Sequence, residues 1–285
     1  MSARPTRPSR REPVYAGAVG LGHVLLGGLD LTVRGGGAGH VPPSGPVVLA
    51  ANHVSFPDFL LIGRALLATG RRVRFLCRHD VWKVRAVGRA MDAMGHVPVD
   101  REAPAAAYLQ ARAHLRAGEV VCVFPEAGIS AAYVVRALMP GAAALARETG
   151  APLVPVSVWG GQRLWPQKHS AEDPFPRPTP QRGRLVDVRV GRAEQVAPDA
   201  DLVATTRALG HRLHDGLEAL QRLPEHRPLP GEPAPWHPAH LGGDALDRAT
   251  SLARDPVLRS AVLPTWGPGV ATTAATTAAT AAAVR

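Results

Sequence analysis

The stretch VVLAANHVSFPDFLLIG, residues 47–63, joins an apolar run to a polar turn and then to a second apolar run. Its first five residues are all aliphatic, which is typical of a strand buried on both faces of a sheet. Pro57 and Asp58 stand where the second run begins, and both residue types are favoured in the first turn of a helix. The stretch therefore predicts a buried strand that leads through a short turn into a helix.

The same alternation of strands and helices continues on both sides of this stretch. Strands are predicted at residues 31–34, 47–51, 73–77, 97–99, 120–124, 153–158 and 185–190, and helices at 57–68, 80–94, 103–117, 141–149 and 202–220. Between the first two strands, GGGAG at residues 35–39 is predicted to form a hairpin loop. This order of elements indicates an α/β fold, a mixed β-sheet flanked by helices.

The two ends of the chain differ in composition from its centre. Residues 1–13 are rich in Arg, Pro and Ser and are predicted to be a disordered basic arm. Residues 14–222 are assigned to the α/β domain, which begins with a mildly apolar helix at 14–31, too short and polar to cross a bilayer. Residues 223–263 read as a Pro/His-rich extension, and residues 264–285 as a disordered Ala/Thr tail.

The chain of 285 residues carries a net charge of +10, supplied almost entirely by arginine. It has no zinc finger, RNP-type motif or basic stripe interleaved with aromatic residues, which argues against a nucleic-acid partner. A basic arm followed by a semi-apolar helix fits an anionic membrane surface, so a peripheral location on the cytoplasmic side of the cell membrane is predicted. Cys77 and Cys122 lack the spacing of a metal site, and neither metal nor cofactor is predicted.

His53 and Asp58 allow two interpretations. In the first, Ser55 caps the helix and Asp58 is a carboxylate stabilised at the helix start. In the second, the bend at residues 55–57 brings Asp58 onto one ring nitrogen of His53, which leaves the other nitrogen free as a general base. The chain has no G-x-S-x-G or H-E-x-x-H motif. A base without an obvious protein nucleophile indicates that a substrate hydroxyl is the nucleophile.

Four ordered blocks carry a family resemblance. The N-H-x-x-x-x-D pattern at residues 52–58 resembles the first signature block of the glycerolipid acyltransferases, the family that includes 1-acyl-glycerol-3-phosphate acyltransferase. GHVPVDR (95–101), VFPEAGIS (123–130) and APLVPVSVWG (151–160) resemble the second, third and fourth blocks, in the family's order. The resemblance implies a glycerol-3-phosphate acyltransferase-like domain.

The resemblance also implies a role for particular residues. His53 would take the proton from a glycerol hydroxyl as it attacks an acyl thioester, and Asp58 would orient His53. Arg101 and Glu126 would hold the acceptor, with Arg101 facing its phosphate, since a planar guanidinium binds phosphate oxygens in pairs. The implied partners are acyl-CoA or acyl carrier protein as donor and a lysophospholipid, 1-acyl-glycerol-3-phosphate, as acceptor.

The third block departs from the family's usual F-P-E-G-T-R-S. Ala127 takes the usual glycine position, and Ile129 takes the position of a phosphate-binding arginine. Gly128 is expected to supply the tight turn one place later, and Arg136 is a candidate replacement for the arginine. Two alternatives stay open: an acyltransferase for another lysophospholipid, a glycolipid or an alcohol, and an inactive membrane-binding protein of the same fold.

Overall fold

The computed structural model describes residues 12–100, 103–167, 176–254 and 257–270. Within them a seven-stranded sheet is flanked by helices. One of its strand pairs is antiparallel and the others are parallel, so the predicted α/β fold with a mixed sheet is confirmed. The predicted elements agree closely with the observed ones in type and order.

The strands are β1 (Thr32–Gly36), β2 (Val47–Ala51), β3 (Val73–Arg78), β4 (Val97–Val99), β5 (Val120–Val123), β6 (Leu153–Trp159) and β7 (Leu185–Val190). The α-helices are α1 (Pro13–Gly28), α2 (Asp58–Leu66), α3 (Arg85–Ala93), α4 (Ala105–Arg116), α5 (Gly141–Thr149), α6 (Leu202–Gln221) and α7 (Arg248–Arg254).

The strand order is β1-β7-β6-β2-β5-β3-β4, with β2, β5 and β6 at its centre. These three strands are buried along their whole length, which is why their sequences are nearly continuous apolar runs without alternation. In this sheet, Ala50 of β2 lies opposite Val123 of β5, and Ala51 of β2 lies opposite Val156 of β6. The carboxyl ends of the three parallel strands therefore lie at one edge of the sheet.

The helices form two layers. The connection from β2 through α2 runs towards β3, whereas the connection from β5 through α5 runs the opposite way, to β6. Because such crossovers share one hand, the two helices lie on opposite faces of the sheet. Helix α1 packs with α2 and α3 on one face, and α4, α5 and α6 pack in sequence on the other.

Two predictions about local structure are wrong. Residues 35–39 do not form a hairpin loop, because β1 pairs with β7 and is separated from β2 by two strands. The helix predicted at 80–94 is broken: a 3₁₀ turn ends at Lys83, Val84 is extended, and α3 begins at Arg85. At this corner the main chain of Trp82 lies so close to Gly88 that a Cβ there would approach the Trp82 oxygen to 3.1 Å.

The prediction that both ends of the chain are disordered is wrong for those end residues that the structure describes. Residues 1–11 and 271–285 lie outside the described residues. Glu12, however, makes ion pairs with Arg72 and Arg74, and Pro13 is the first residue of α1. In the segment 264–270, Trp266 is buried and its indole Nε1 donates to the Val135 oxygen. Both segments are held by side-chain contacts that composition alone does not reveal.

Candidate active site

The carboxyl ends of β2, β5 and β6 bring residues of the first and third blocks, and the residue that follows the fourth block, to one edge of the sheet. His53 follows β2, Glu126 follows β5, and Gly161 follows β6. Open α/β sheets bind ligands at this edge, where neighbouring crossovers leave for opposite faces. This edge is therefore the place to look for a site.

His53 and Asp58 are in direct contact. The Nδ1 atom of His53 lies 2.8 Å from Oδ2 of Asp58. The carboxylate is fully buried, and the same Oδ2 accepts from the main-chain N–H groups of Val54 and Ser55 at 2.7 and 2.9 Å. Since a carboxylate can only accept, Nδ1 carries the shared proton, and in the neutral imidazole the lone pair is then on Nε2.

Ser55 does not cap helix α2 as predicted. The residue before the helix is Pro57, which has no side chain that could cap it, and Asp58 is the first helical residue. The Ser55 hydroxyl instead donates to Oδ1 of Asp58. Asp58 is thus both a carboxylate at the start of a helix and the partner of His53, so the two interpretations of the motif are compatible.

Gly161 makes room for this arrangement. A Cβ at position 161 would collide with the Ser55 hydroxyl and would lie 3.1 Å from Oδ1 of Asp58. The residue comes directly after the fourth block, about a hundred residues along the chain from Asp58. Sequence reasoning missed its role because a glycine required for a distant close approach carries no local signal.

The His53 ring is packed on one face and still accessible. It stacks on Phe124, with ring centroids 4.4 Å apart and planes inclined by 29°. Its side chain keeps 20% of its surface exposed, whereas Asp58 has none. The ring is therefore held in one orientation while a substrate can reach it. Phe124 was not predicted to take part, although it is the second residue of the third block.

Asn52 and Glu126 hold the loop that carries His53. The Asn52 side chain donates to the oxygen of Val158 and accepts from its N–H, which ties the end of β2 to β6. Glu126 accepts from the His53 main-chain N–H at 2.7 Å and from the Arg136 main-chain N–H at 2.8 Å. Glu126 thus joins the loops of the first and third blocks, and its contact with an acceptor stays a prediction.

The environment of Glu126 is unusual for a carboxylate. Burial raises the pKa of Glu126 to about 7, against the opposing effect of the N–H groups of Arg136 and His53. A buried carboxylate whose pKa is raised beside a histidine is typical of functional sites, although structural networks produce such shifts as well.

The third-block turn is built differently from the prediction. Ala127 itself adopts the left-handed conformation, with φ of 52°, and Gly128 does not. Gly128 instead provides space, because a Cβ there would lie 2.6 Å from Nη1 of Arg136. Ile129, at the usual arginine position, is 94% buried (6% exposed) and offers no charge to an acceptor.

Arg101 lies outside the described residues, so its predicted place at the acceptor phosphate stays a prediction. Within the ranges that the structure does describe, no group of three or more His, Cys, Asp and Glu side chains has the arrangement of a metal site. The helices in those same ranges are also too short or too polar to cross a membrane.

Comparison with known proteins finds a similarity to the same family that the four blocks resemble. Residues 32–159 match the family model described as Acyltransferase. This stretch contains β1 to β6 with His53, Asp58 and Glu126. The resemblance to the acyltransferases is confirmed over this part of the chain.

Two curated relatives and one solved structure are similar to the chain. It is 29% identical over 124 residues to the chloroplastic 1-acyl-sn-glycerol-3-phosphate acyltransferase BAT2 of Brassica napus, a match that covers 42% of this chain and 35% of the relative. It is 31% identical over 128 residues to a 1-acyl-sn-glycerol-3-phosphate acyltransferase of Chlamydomonas reinhardtii, covering 44% and 37%. The matches therefore span little more than a third of these relatives.

The solved structure is the 1-acyl-sn-glycerophosphate acyltransferase PlsC from Thermotoga maritima. It superposes with a TM-score of 0.60 at 21% identity, over 76% of this chain and 85% of that one. At this identity the likeness shows a common fold, which extends well beyond the stretch matched by the family model.

Proposed function

We propose that this protein is an O-acyltransferase that transfers a fatty acyl group to the free hydroxyl of a 1-acyl-glycerol-3-phosphate. The observation that carries the proposal is the contact of 2.8 Å between Nδ1 of His53 and Oδ2 of Asp58, at the sheet edge where the family blocks meet. The names of the similar proteins support this substrate class.

In the proposed reaction, Nε2 of His53 takes the proton of the acceptor hydroxyl as its oxygen attacks the carbonyl carbon of an acyl thioester. The C–S bond breaks, an ester forms, and the thiolate leaves with a proton returned from His53. Asp58 keeps the imidazole in the required tautomer and stabilises its charged form. The donor is acyl-CoA or acyl carrier protein, and no acyl-enzyme is needed.

The site would work at a membrane surface because its acceptor is a lipid. Helix α1 contains no charged residue and turns an apolar face outwards, with Leu21, Val24 and Leu25 each more than half exposed. Helix α1 packs against α2, the helix that begins with Asp58. We infer that α1 associates peripherally with an anionic bilayer and keeps the site near its lipid substrate.

The test is acyl transfer from a long-chain acyl-CoA to lysophosphatidate by the wild type and by His53→Ala. Loss of a general base is expected to lower the rate by roughly 10²–10⁴. The matched control is His79→Ala, since His79 is exposed and remote in sequence from the four blocks. An equal rate in wild type and His53→Ala would contradict the proposed base.

A second candidate keeps the reaction and changes the acceptor. Ile129 places a buried apolar side chain where the family usually has an arginine that binds phosphate. Turnover of a neutral alcohol or glycolipid acceptor in preference to lysophosphatidate would favour this candidate. A wild type that binds anionic vesicles but transfers no acyl group to any acceptor would indicate an inactive membrane-binding protein.

A further inference from the structure

Two arginines from distant parts of the chain line one cleft beside the candidate site. Arg136 lies in the loop that follows the third block, and Arg248 is the first residue of α7 in the C-terminal extension. The hydroxyl residues Ser130 and Ser251 line the same cleft, and both are buried. The cleft thus combines two cationic groups with two hydroxyl groups, a composition that suits an anion with several oxygens.

Arg136 connects this cleft to His53. Its main-chain N–H donates to one oxygen of Glu126 while the His53 main-chain N–H donates to the other. The two main chains are therefore separated by only one carboxylate group. The Arg136 guanidinium extends over Gly128, whose missing side chain leaves it that space. Its charge consequently lies over the third-block turn.

Arg248 brings a second positive charge into a partly desolvated position. Its Nη1 atom donates to the main-chain oxygen of Pro268, and none of the ion pairs among the described residues includes it. Burial lowers the pKa of Arg248 from its ordinary value, although a guanidinium stays charged at neutral pH. A guanidinium that is desolvated and has no carboxylate partner among the described residues is stabilised when an anion binds beside it.

We propose that Arg136 and Arg248 together bind the phosphate of the acceptor and replace the arginine that the family usually has where this chain has Ile129. The inference rests on the proposed function and names the residues that select the acceptor's headgroup. It also assigns a role to the C-terminal extension, which lies outside the stretch matched by the family model.

The chemistry of the acceptor fits this placement. In glycerol phosphate the reacting hydroxyl and the phosphorus are separated by two carbons and one ester oxygen, so both groups must lie close to the His53 loop. The cleft is narrow, about 10 Å³, so the proposal requires the side chains of Arg136 and Arg248 to move apart when a phosphate binds. Planar guanidinium forks can then bind the phosphate oxygens in pairs.

The experiment measures binding separately from turnover. A short-chain lysophosphatidate, and a monoacylglycerol of the same chain length, are titrated by calorimetry into the full chain carrying His53→Ala. Adding Arg136→Gln or Arg248→Gln is expected to weaken lysophosphatidate binding by roughly 10- to 100-fold, as for a lost charge-assisted hydrogen bond. Monoacylglycerol binding is expected to stay unchanged. Arg207→Gln, on the exposed surface of α6, is the matched control.

The same variants in the active chain provide a second readout. We expect the KM for lysophosphatidate to rise with little change in kcat, and Arg136→Lys to restore part of the affinity. Unchanged affinity in both glutamine variants, or an equal loss for both ligands, would overturn the proposal. If the wild type binds lysophosphatidate in this arginine-dependent way but transfers no acyl group, the proposed reaction fails and the headgroup site stands.

Discussion

Asp58 and Glu126 are both buried carboxylates beside His53, and their surroundings differ. Asp58 is surrounded by donors: the imidazole, two main-chain N–H groups and the Ser55 hydroxyl. Glu126 accepts from the main chains of His53 and Arg136. Burial raises the pKa of Glu126 to about 7, so this carboxyl group makes stability depend on pH.

At the residue scale, we predict that Glu126 lowers stability as the pH rises. Its ordinary pKa of 4.5 applies to the unfolded chain, while the folded chain retains the proton up to about pH 7. Between these two pH values the folded state binds more protons than the unfolded state. The free energy of unfolding therefore falls by on the order of 3 kcal/mol as the pH rises through this range. The contribution is fully present below the unfolded pKa and lost as the pH passes the folded one.

The measurement is urea unfolding of wild type and Glu126→Gln at several pH values from about 4 to about 8. The variant loses a hydrogen-bond acceptor, which shifts its whole curve downwards. The informative quantity is the difference in slope between the two curves, since glutamine does not titrate. Parallel curves across this range would show that Glu126 keeps an ordinary pKa.

At the scale of elements, helix α1 shows how a weakly amphipathic segment can be fixed to a domain. The Tyr15 hydroxyl accepts from the Val73 N–H, and Glu12 binds Arg74, which also binds Glu119. These contacts hold one face of α1 against the domain. The opposite face carries Leu21 and Leu25, which are 61% and 57% exposed.

We predict that Leu21→Glu combined with Leu25→Glu reduces binding to vesicles of phosphatidylglycerol and phosphatidylcholine by at least about tenfold. Each leucine that enters the bilayer contributes roughly 1.5–3 kcal/mol, and each glutamate adds repulsion from anionic lipid. Both positions are exposed, so the fold is expected to persist. Co-sedimentation with vesicles measures the effect.

The matched control is Val203→Glu, an exposed apolar position on α6, on the other face of the sheet. We expect this variant to bind vesicles like the wild type. If the α1 double variant also binds unchanged, membrane association through this helix is refuted.

At the scale of the whole molecule, the C-terminal extension and residues 264–270 after it pack on the domain at several points. Val262 forms an antiparallel bridge with Leu138, and the indole of Trp266 packs so tightly on Gly210 that a Cβ there would collide with it. His226 meets Asp187 of β7 at 2.7 Å. The extension is therefore packed onto the same structure that carries the site.

We predict that Trp266→Ala lowers the free energy of unfolding by roughly 3–5 kcal/mol, because it opens a large cavity and leaves the Val135 oxygen without its indole donor. Urea unfolding measures the loss. Trp82→Ala is the comparison, since Trp82 is only partly buried and bonds to an exposed Asp92. Similar losses in the two variants would show that the packing of residues 264–270 on the domain contributes little to stability.

Much of the fold and part of the site could be predicted because their signals are local. The run at 47–51 indicates a buried strand, and His53 and Asp58 are close enough in sequence for one bend to join them. Arg136 was only a candidate, because nothing in the sequence shows that its guanidinium lies over Gly128. The roles of Gly161 and Phe124 were missed for the same reason: each depends on a partner far along the chain.

The sequence by itself determined the α/β class, the order of the elements and the pair at His53, since hydrophobic periodicity and short motifs act within a few residues. Only the tertiary structure decided that β1 pairs with β7, that Glu126 joins two loops, and that the tail assigned to disorder brings Trp266 into the core. These features depend on which distant surfaces meet when apolar area is buried. That choice is made by the packing of the whole chain, and no short segment encodes it.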